Sequence, residues 1–151
     1  MKSGTLLAEI KKYLPFSSGG GILIARKFQY DFAVDGGVAG AITLRAVDGL
    51  GPLPTKFIVQ NAIIDMITAL TSGGAATVSL TTGEGAADLQ AATLVSNPPW
   101  STLGLAATTV ILGTLATQIK LTAQRSPSIT IAIADLTAGK VNVFIQGVQS
   151  D

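Results

Sequence analysis

From residue 26 the chain settles into a period of two, with Phe28, Tyr30, Phe32 and Val34 on one side and Gln29, Asp31 and Ala33 on the other, as a half-buried strand requires. Asp35-Gly36-Gly37 closes that run with a turn. A short strand carrying Ile42 and Leu44 follows, then a loop over 47–54 rich in Gly, Asp and Pro. Residues 57–70 fit a helix about as well as a strand by spacing. Their β-branched members Ile58, Val59, Ile63, Ile64, Ile67 and Thr68 favour the strand. After the Ser72-Gly73-Gly74 turn, Ala76, Val78 and Leu80 alternate with polar residues, which predicts a hairpin with the segment before the turn. Residues 86–92 have the length of about two helical turns. Pro98-Pro99-Trp100 then forces an extended connection, with Trp100 read as a loop anchor in the core. Three alternating runs complete the chain: Ile119, Leu121 and Ala123; Ile129, Ile131 and Ile133; Val141, Val143 and Ile145. Loops at Pro127 and at Ala138-Gly139 separate them. The pattern predicts an all-β fold, an antiparallel sandwich or jelly-roll-like barrel, formed by residues 22–151 as a single β domain.

Residues 1–21 follow a different rule. Leu6, Leu7, Ile10 and Leu14 recur at helical spacing with Lys11 and Lys12 on the other side, and Pro15 ends any helix. So short a helix is marginal alone in water, which implies that it orders by docking. The run Ser17-Ser18-Gly19-Gly20-Gly21 reads as a flexible linker. Glu9, Lys11 and Lys12 interrupt the apolar stretch too early for a secretory signal, so we expect a protein made in the cytoplasm with an N-terminal arm, helical or extended.

Composition removes several kinds of chemistry. The chain has 151 residues, enough for an ordinary core, and neither cysteine nor histidine. That excludes disulfides, thiolate metal sites and any His-dependent triad. Ten Lys and Arg against nine Asp and Glu leave a net charge of +1, which gives no basic field for nucleic acid. No cofactor, metal or catalytic site is expected, and no enzymatic activity.

The remaining candidates have plain explanations. Residues 103–116 are apolar but number only fourteen, carry Thr and Gly, and follow a Pro-Pro pair, so a membrane span is not expected. A covered sheet segment or a subunit interface, with Leu103 and Leu105 in it, fits better. Gly83-Glu84-Gly85-Ala86-Ala87-Asp88 resembles a dinucleotide-binding turn only superficially, since Asp88 replaces the third glycine and Glu84 would repel a pyrophosphate. The simpler reading is a turn whose carboxylates sit near a helix start. Asp31 and Asp35, four apart on a strand, lie roughly 13 Å from each other, too far for a glycosidase pair. Phe144 falls on the outward side of the last strand, between Asn142 and Gln146. It packs either on a neighbouring subunit or under a covering loop.

The runs Phe28-Gln29-Tyr30-Asp31-Phe32-Ala33-Val34-Asp35-Gly36-Gly37, Ala41-Ile42-Thr43-Leu44-Arg45 and Thr68-Ala69-Leu70-Thr71-Ser72-Gly73-Gly74-Ala75-Ala76-Thr77-Val78 resemble small virion structural proteins of tailed bacteriophages. Pro99-Trp100-Ser101-Thr102 and the segment Leu136-Thr137-Ala138-Gly139-Lys140-Val141-Asn142-Val143-Phe144 are similar too, so the resemblance spans about residues 26–148. These motifs are turns and strands, and the resemblance implies a fold and a setting more than a task. The implied task is capsid decoration, or cementing, in which copies on the capsid surface bind the major capsid protein over its subunit joints. The implied state is a homo-oligomer, preferably a trimer, with Leu6, Leu7, Ile10 and Leu14 of the arm contacting the capsid or a neighbouring copy. A tail, neck or fibre component of the virion is the nearest alternative. A carbohydrate-binding β-sandwich is the alternative of another class, disfavoured by only eight aromatic residues.

Overall fold

A computed structural model describes residues 22–108 and 118–150. The Phe28–Tyr30 alternation forms β1 (Ile22–Asp31), which pairs along its whole length with β10 (Leu136–Gln149), from Ile22 opposite Gln149 to Asp31 opposite Lys140. On its other side β10 pairs with the 16-residue β4 (Phe57–Ser72), so the β-branched composition of that segment did decide for a strand. β3 (Arg45–Ala46) extends the sheet beyond β1, and β7 (Gly104–Ala107) and β8 (Ile119–Lys120) extend it beyond β4. The second sheet has the order β2 (Gly40–Thr43), β9 (Ser128–Ala132), β5 (Thr77–Thr81), β6 (Gln90–Leu94). Every pairing is antiparallel and the strands divide into two sheets, so of the two expected forms the sandwich is the one present.

The core lies between the sheets. Phe28, Tyr30, Phe57, Val59, Ile64, Met66, Val141, Val143 and Ile145 of the larger sheet face Val78, Leu80, Ile129 and Ile131 of the smaller, all of them buried. Trp100 closes the gap from a loop: its Nε1 donates to the Val78 carbonyl at 3.1 Å while its own carbonyl accepts from Leu70 N at 3.0 Å. The Tyr30 hydroxyl donates to the Gly36 carbonyl at 2.7 Å. Burial, with the Asp35 and Asp31 carboxylates close by, pushes its pKa up to about 12, so it remains a donor through the neutral range.

Six expectations need correction. The first strand stops at Asp31 instead of running on to Val34, because Asp31 caps a one-turn helix, α1 (Phe32–Asp35), its side chain accepting from Ala33 N. Asp35 returns the favour by accepting from Asp31 N at 2.8 Å. The two carboxylates therefore share a single turn and are not spread along a strand. β4 and β5 form no hairpin: the chain crosses from one sheet to the other between them, because both are buried on faces that oppose each other. Residues 86–92 form no helix, because Asp88 ties the chain back to Thr82 and Gly85, Ala87 takes a positive φ of 52, and β6 starts at Gln90. Ile133 ends its run outside β9, in a turn at φ +75 and 75 % exposed, while Ala138-Gly139 lies inside β10 at a shift in register.

Candidate functional site

The outward side of the larger sheet carries the most organised surface among the described residues. Because Phe28, Ile64, Val143 and Ile145 point inward, the alternate positions point out and the register aligns them into rows. One row runs Lys27, Phe144, Ile63, Ala107 across β1, β10, β4 and β7. Beside it runs Gln29, Asn142, Asp65, Leu105. A third places Asp31 against Lys140.

Each row has its own chemistry. In the second, Gln29 Nε2 donates to Asn142 Oδ1 at 2.9 Å, and Asn142 Nδ2 donates to Asp65 Oδ2 at 3.4 Å, which fixes the amide orientations on the face. In the third, Lys140 Nζ meets Asp31 Oδ2 at 2.8 Å, and Arg45 meets Asp35 at 2.7 Å just beyond it. The Lys140 ammonium holds the Asp31 carboxyl below its ordinary value. The first row is apolar with a single cation: Lys27 Nζ lies 5.5 Å from the centre of the Phe144 ring. Around that pair a groove of about 430 Å³ opens, with Ala25, Leu50, Asn61, Ile63 and Gln146 among its walls. Asp48 also borders it, but its oxygens are occupied by Lys27 N at 2.8 Å and Leu50 N at 2.9 Å. Burial opposes ionisation of that carboxyl, and the two amide bonds outweigh it, so its pKa sits below the ordinary value.

Phe144 is 38 % exposed and Leu105 76 %, and both belong to this face, with Leu103 (64 %) at its rim before β7. Sequence reading found these three but missed Lys27, Ile63 and Leu50. A signal existed for Ile63: with Ile64 and Met66 in the core, apolar residues at the intervening positions Ile63 and Ile67 make β4 apolar on both faces. The arm residues Leu6, Leu7, Ile10 and Leu14, and most of the apolar run beyond Thr108, lie outside the described residues.

The 83–88 segment is a lock rather than a helix start. Asp88 accepts from Thr82 N at 2.6 Å, Thr82 Oγ1 at 2.5 Å and Gly85 N at 3.0 Å, which curls the loop on itself and leads directly into β6. Glu84 reaches across to accept from Thr122 N at 3.1 Å, Thr122 Oγ1 at 2.8 Å and Arg125 Nε at 2.9 Å. These bonds, Thr122's first, lower the Glu84 pKa from its ordinary 4.5. Since the folded value lies below the unfolded one, the stabilisation is complete above pH 4.5 and is lost as the pH falls through the folded value. Glu84→Gln is therefore expected to melt lower than wild type at pH 7 and to lose less on going from pH 5 to pH 3. Parallel melting curves for both proteins in that range would refute this.

Among the described residues no three His, Cys, Asp or Glu side chains group as a metal site, and no helix is long and apolar enough to cross a membrane. What the outer face offers is a set of defined polar bonds beside an apolar groove.

No protein-family model matches the chain, and no curated protein does. Among solved structures, the chain resembles one from the cyanophage Pam1 capsid asymmetric unit, with 19 % identity and a TM-score of 0.62 over 91 % of each chain. It also resembles one from the acidic stable capsid structure of Helicobacter pylori bacteriophage KHP30, with 10 % identity and a TM-score of 0.56 over 86 % of this chain and 90 % of that one. At such identities the likeness is one of fold.

Proposed function

We propose that this chain is a bacteriophage virion structural protein without enzymatic activity, a capsid decoration (cement) protein that binds the major capsid protein lattice as a homotrimer and stabilises the head. The observation that carries this reading is whole-chain likeness of fold to chains in two phage capsids. The outer face supports it. Leu103 and Leu105 stand free at the β7 rim, where a large exposed aliphatic pair gains most from being covered by a neighbouring protein. Each copy then needs only modest contacts, because a lattice repeats them and neighbouring copies also touch.

The test is reconstitution on heads that lack the protein, read by electron microscopy as occupancy per capsid site. Wild-type chain is expected on the head surface, and light scattering is expected to give about three times 15.3 kDa. Leu103→Ser with Leu105→Ser is expected to cut occupancy on the order of 10-fold or more, because each leucine side chain that a contact covers fully contributes about 1.5–3 kcal/mol. Replacing Leu6, Leu7, Ile10 and Leu14 by Ser is expected to abolish decoration while the β domain stays folded. Labelled protein found on tails or fibres, or bound to glycans on an array, would replace this reading with one of its alternatives.

A further inference from the structure

We infer that copies of this chain meet head to tail: the exposed corner made by Val38, Ile133 and Asp135 of one copy seats in the groove around Phe144 of the next, with the Asp135 carboxylate on Lys27. The contact deepens the homotrimer reading and rests on it only for the number of copies.

The corner is built by the turn after β9. By alternation Ile133 belongs inside with Ile129 and Ile131, yet the turn holds it at φ +75, which β-branched residues rarely adopt, and leaves it 75 % exposed. Ala39 N donates to Asp135 Oδ1 at 2.8 Å and Leu136 N to the Gly37 carbonyl at 2.8 Å, so residues 37–39 lie against 133–136. Val38 and Ile133 continue the register that pairs Gly40 with Ile131, and Val38 is 72 % exposed. Between them they present an aliphatic surface beside an acid. Asp135 is the one exposed carboxylate among the described residues, and no cation pairs with it there. At the same end of the sandwich Asp31 and Asp35 are closed by Lys140 and Arg45.

The groove has the complementary chemistry. Its charged lining is Arg26, Lys27 and Asp48, two cations against one carboxylate, and both oxygens of Asp48 are held by the amides of Lys27 and Leu50. Neither Arg26 nor Lys27 has an ion-pair partner among the described residues. Arg26 Nε is buried without a hydrogen-bond partner, and Lys27 Nζ lies over the Phe144 ring beside Ile63 and Leu50. An aliphatic corner with an unpaired acid thus matches an apolar groove with unpaired bases. They cannot meet within one chain. Leu136, next to Asp135, begins β10, and Phe144 lies eight residues along that strand, roughly 25 Å away. Since each copy carries both halves at different places, the contact is heterologous, and its repetition closes into a ring when the rotation between copies permits.

The chain has no cysteine, so introduced thiols report cleanly. Full-length Ile133→Cys and full-length Gln146→Cys, the second on the groove wall, are co-expressed, purified reduced and then oxidised. The expected product is a disulfide between one chain of each kind, with either version alone largely unlinked. Ile133→Cys with Ala92→Cys, exposed on β6 of the smaller sheet, is expected to link several-fold more slowly. Asp135→Asn keeps the oxygen that accepts from Ala39 N but removes the charge. Added to the first version it is expected to slow the mixed link several-fold, as is Lys27→Gln in the second, and both together no more than either alone, because each removes the same pair. A mixed link no faster than the control, equally fast links between chains of one kind, or a rate indifferent to Asp135 and Lys27 overturns the proposal. Light scattering counts the copies separately: a trimer without the mixed link keeps the trimer and removes this contact, whereas a mixed link in an assembly of another size keeps the contact and removes the trimer. Circular dichroism of each variant checks that the β domain is folded.

Discussion

Gly147→Ala is expected to remove most of the stability of the domain. Gly147 lies in β10, between β1 and β4, at a shift in register next to Gln146. A Cβ there would be driven into the carbonyl oxygen of Ile58 and against the end of the Phe57 ring, which is 2.8 Å away. The obstacle is backbone of the partner strand, so no change of rotamer relieves it, and the two longest strands must part for alanine to fit. The expected cost is about 4–5 kcal/mol, at the far end of what single substitutions do and a large share of the roughly 5–15 kcal/mol that holds a domain together. For a chain of this length that is a fall of about 10–15 °C in Tm, or loss of folded protein on expression. A midpoint within about 2 °C of wild type would mean that β10 and β4 tolerate a wider gap.

Trp100→Ala is the second large effect. The indole is fully buried between the sheets, and its Nε1 bonds the Val78 carbonyl. Truncation removes the largest side chain of the core and leaves a cavity, for which about 3–5 kcal/mol is usual. It also strips the Val78 carbonyl of this donor, and Trp100→Phe separates the two contributions. Phenylalanine fills much of the space yet supplies no N–H, so it is expected to cost about 1–3 kcal/mol. Urea midpoints should therefore rank wild type, then Trp100→Phe, then Trp100→Ala. Equal midpoints for Trp100→Phe and wild type would assign the whole effect to volume.

Both residues show how legibility divides. The alternation of Phe28 and Tyr30, of Ile129 and Ile131, and of Val141, Val143 and Ile145 gave the inward faces correctly, because burying one side of a strand fixes every second residue. Trp100 was legible as a core anchor in a loop, but the connection expected to be extended is a tight turn, in which Trp100 N and Ser101 N both donate to the Asn97 carbonyl. Gly147 gave no signal, since its role exists only where β4 approaches.

The same division applies to the candidate site. Phe144 was conspicuous as an aromatic on the wrong side of an alternating strand, and Leu105 as part of an uncharged run. That they share a face with Ile63 and Lys27 is a matter of register between strands far apart in sequence. The carboxylates mislead a sequence reader for a related reason. Asp31, Asp35, Glu84 and Asp88 were read from their spacing along the chain, whereas their partners are Lys140, Arg45, Arg125 and Thr82, three of them far from the carboxylate in sequence or reached only through a turn. Local periodicity by itself determined the all-β class and the inward faces, and composition alone excluded histidine and cysteine chemistry. Which strands became neighbours, which sheet received β5, and which outward residues were gathered into one groove were decided by the tertiary structure, because strand pairing is a non-local choice that side-chain alternation leaves open.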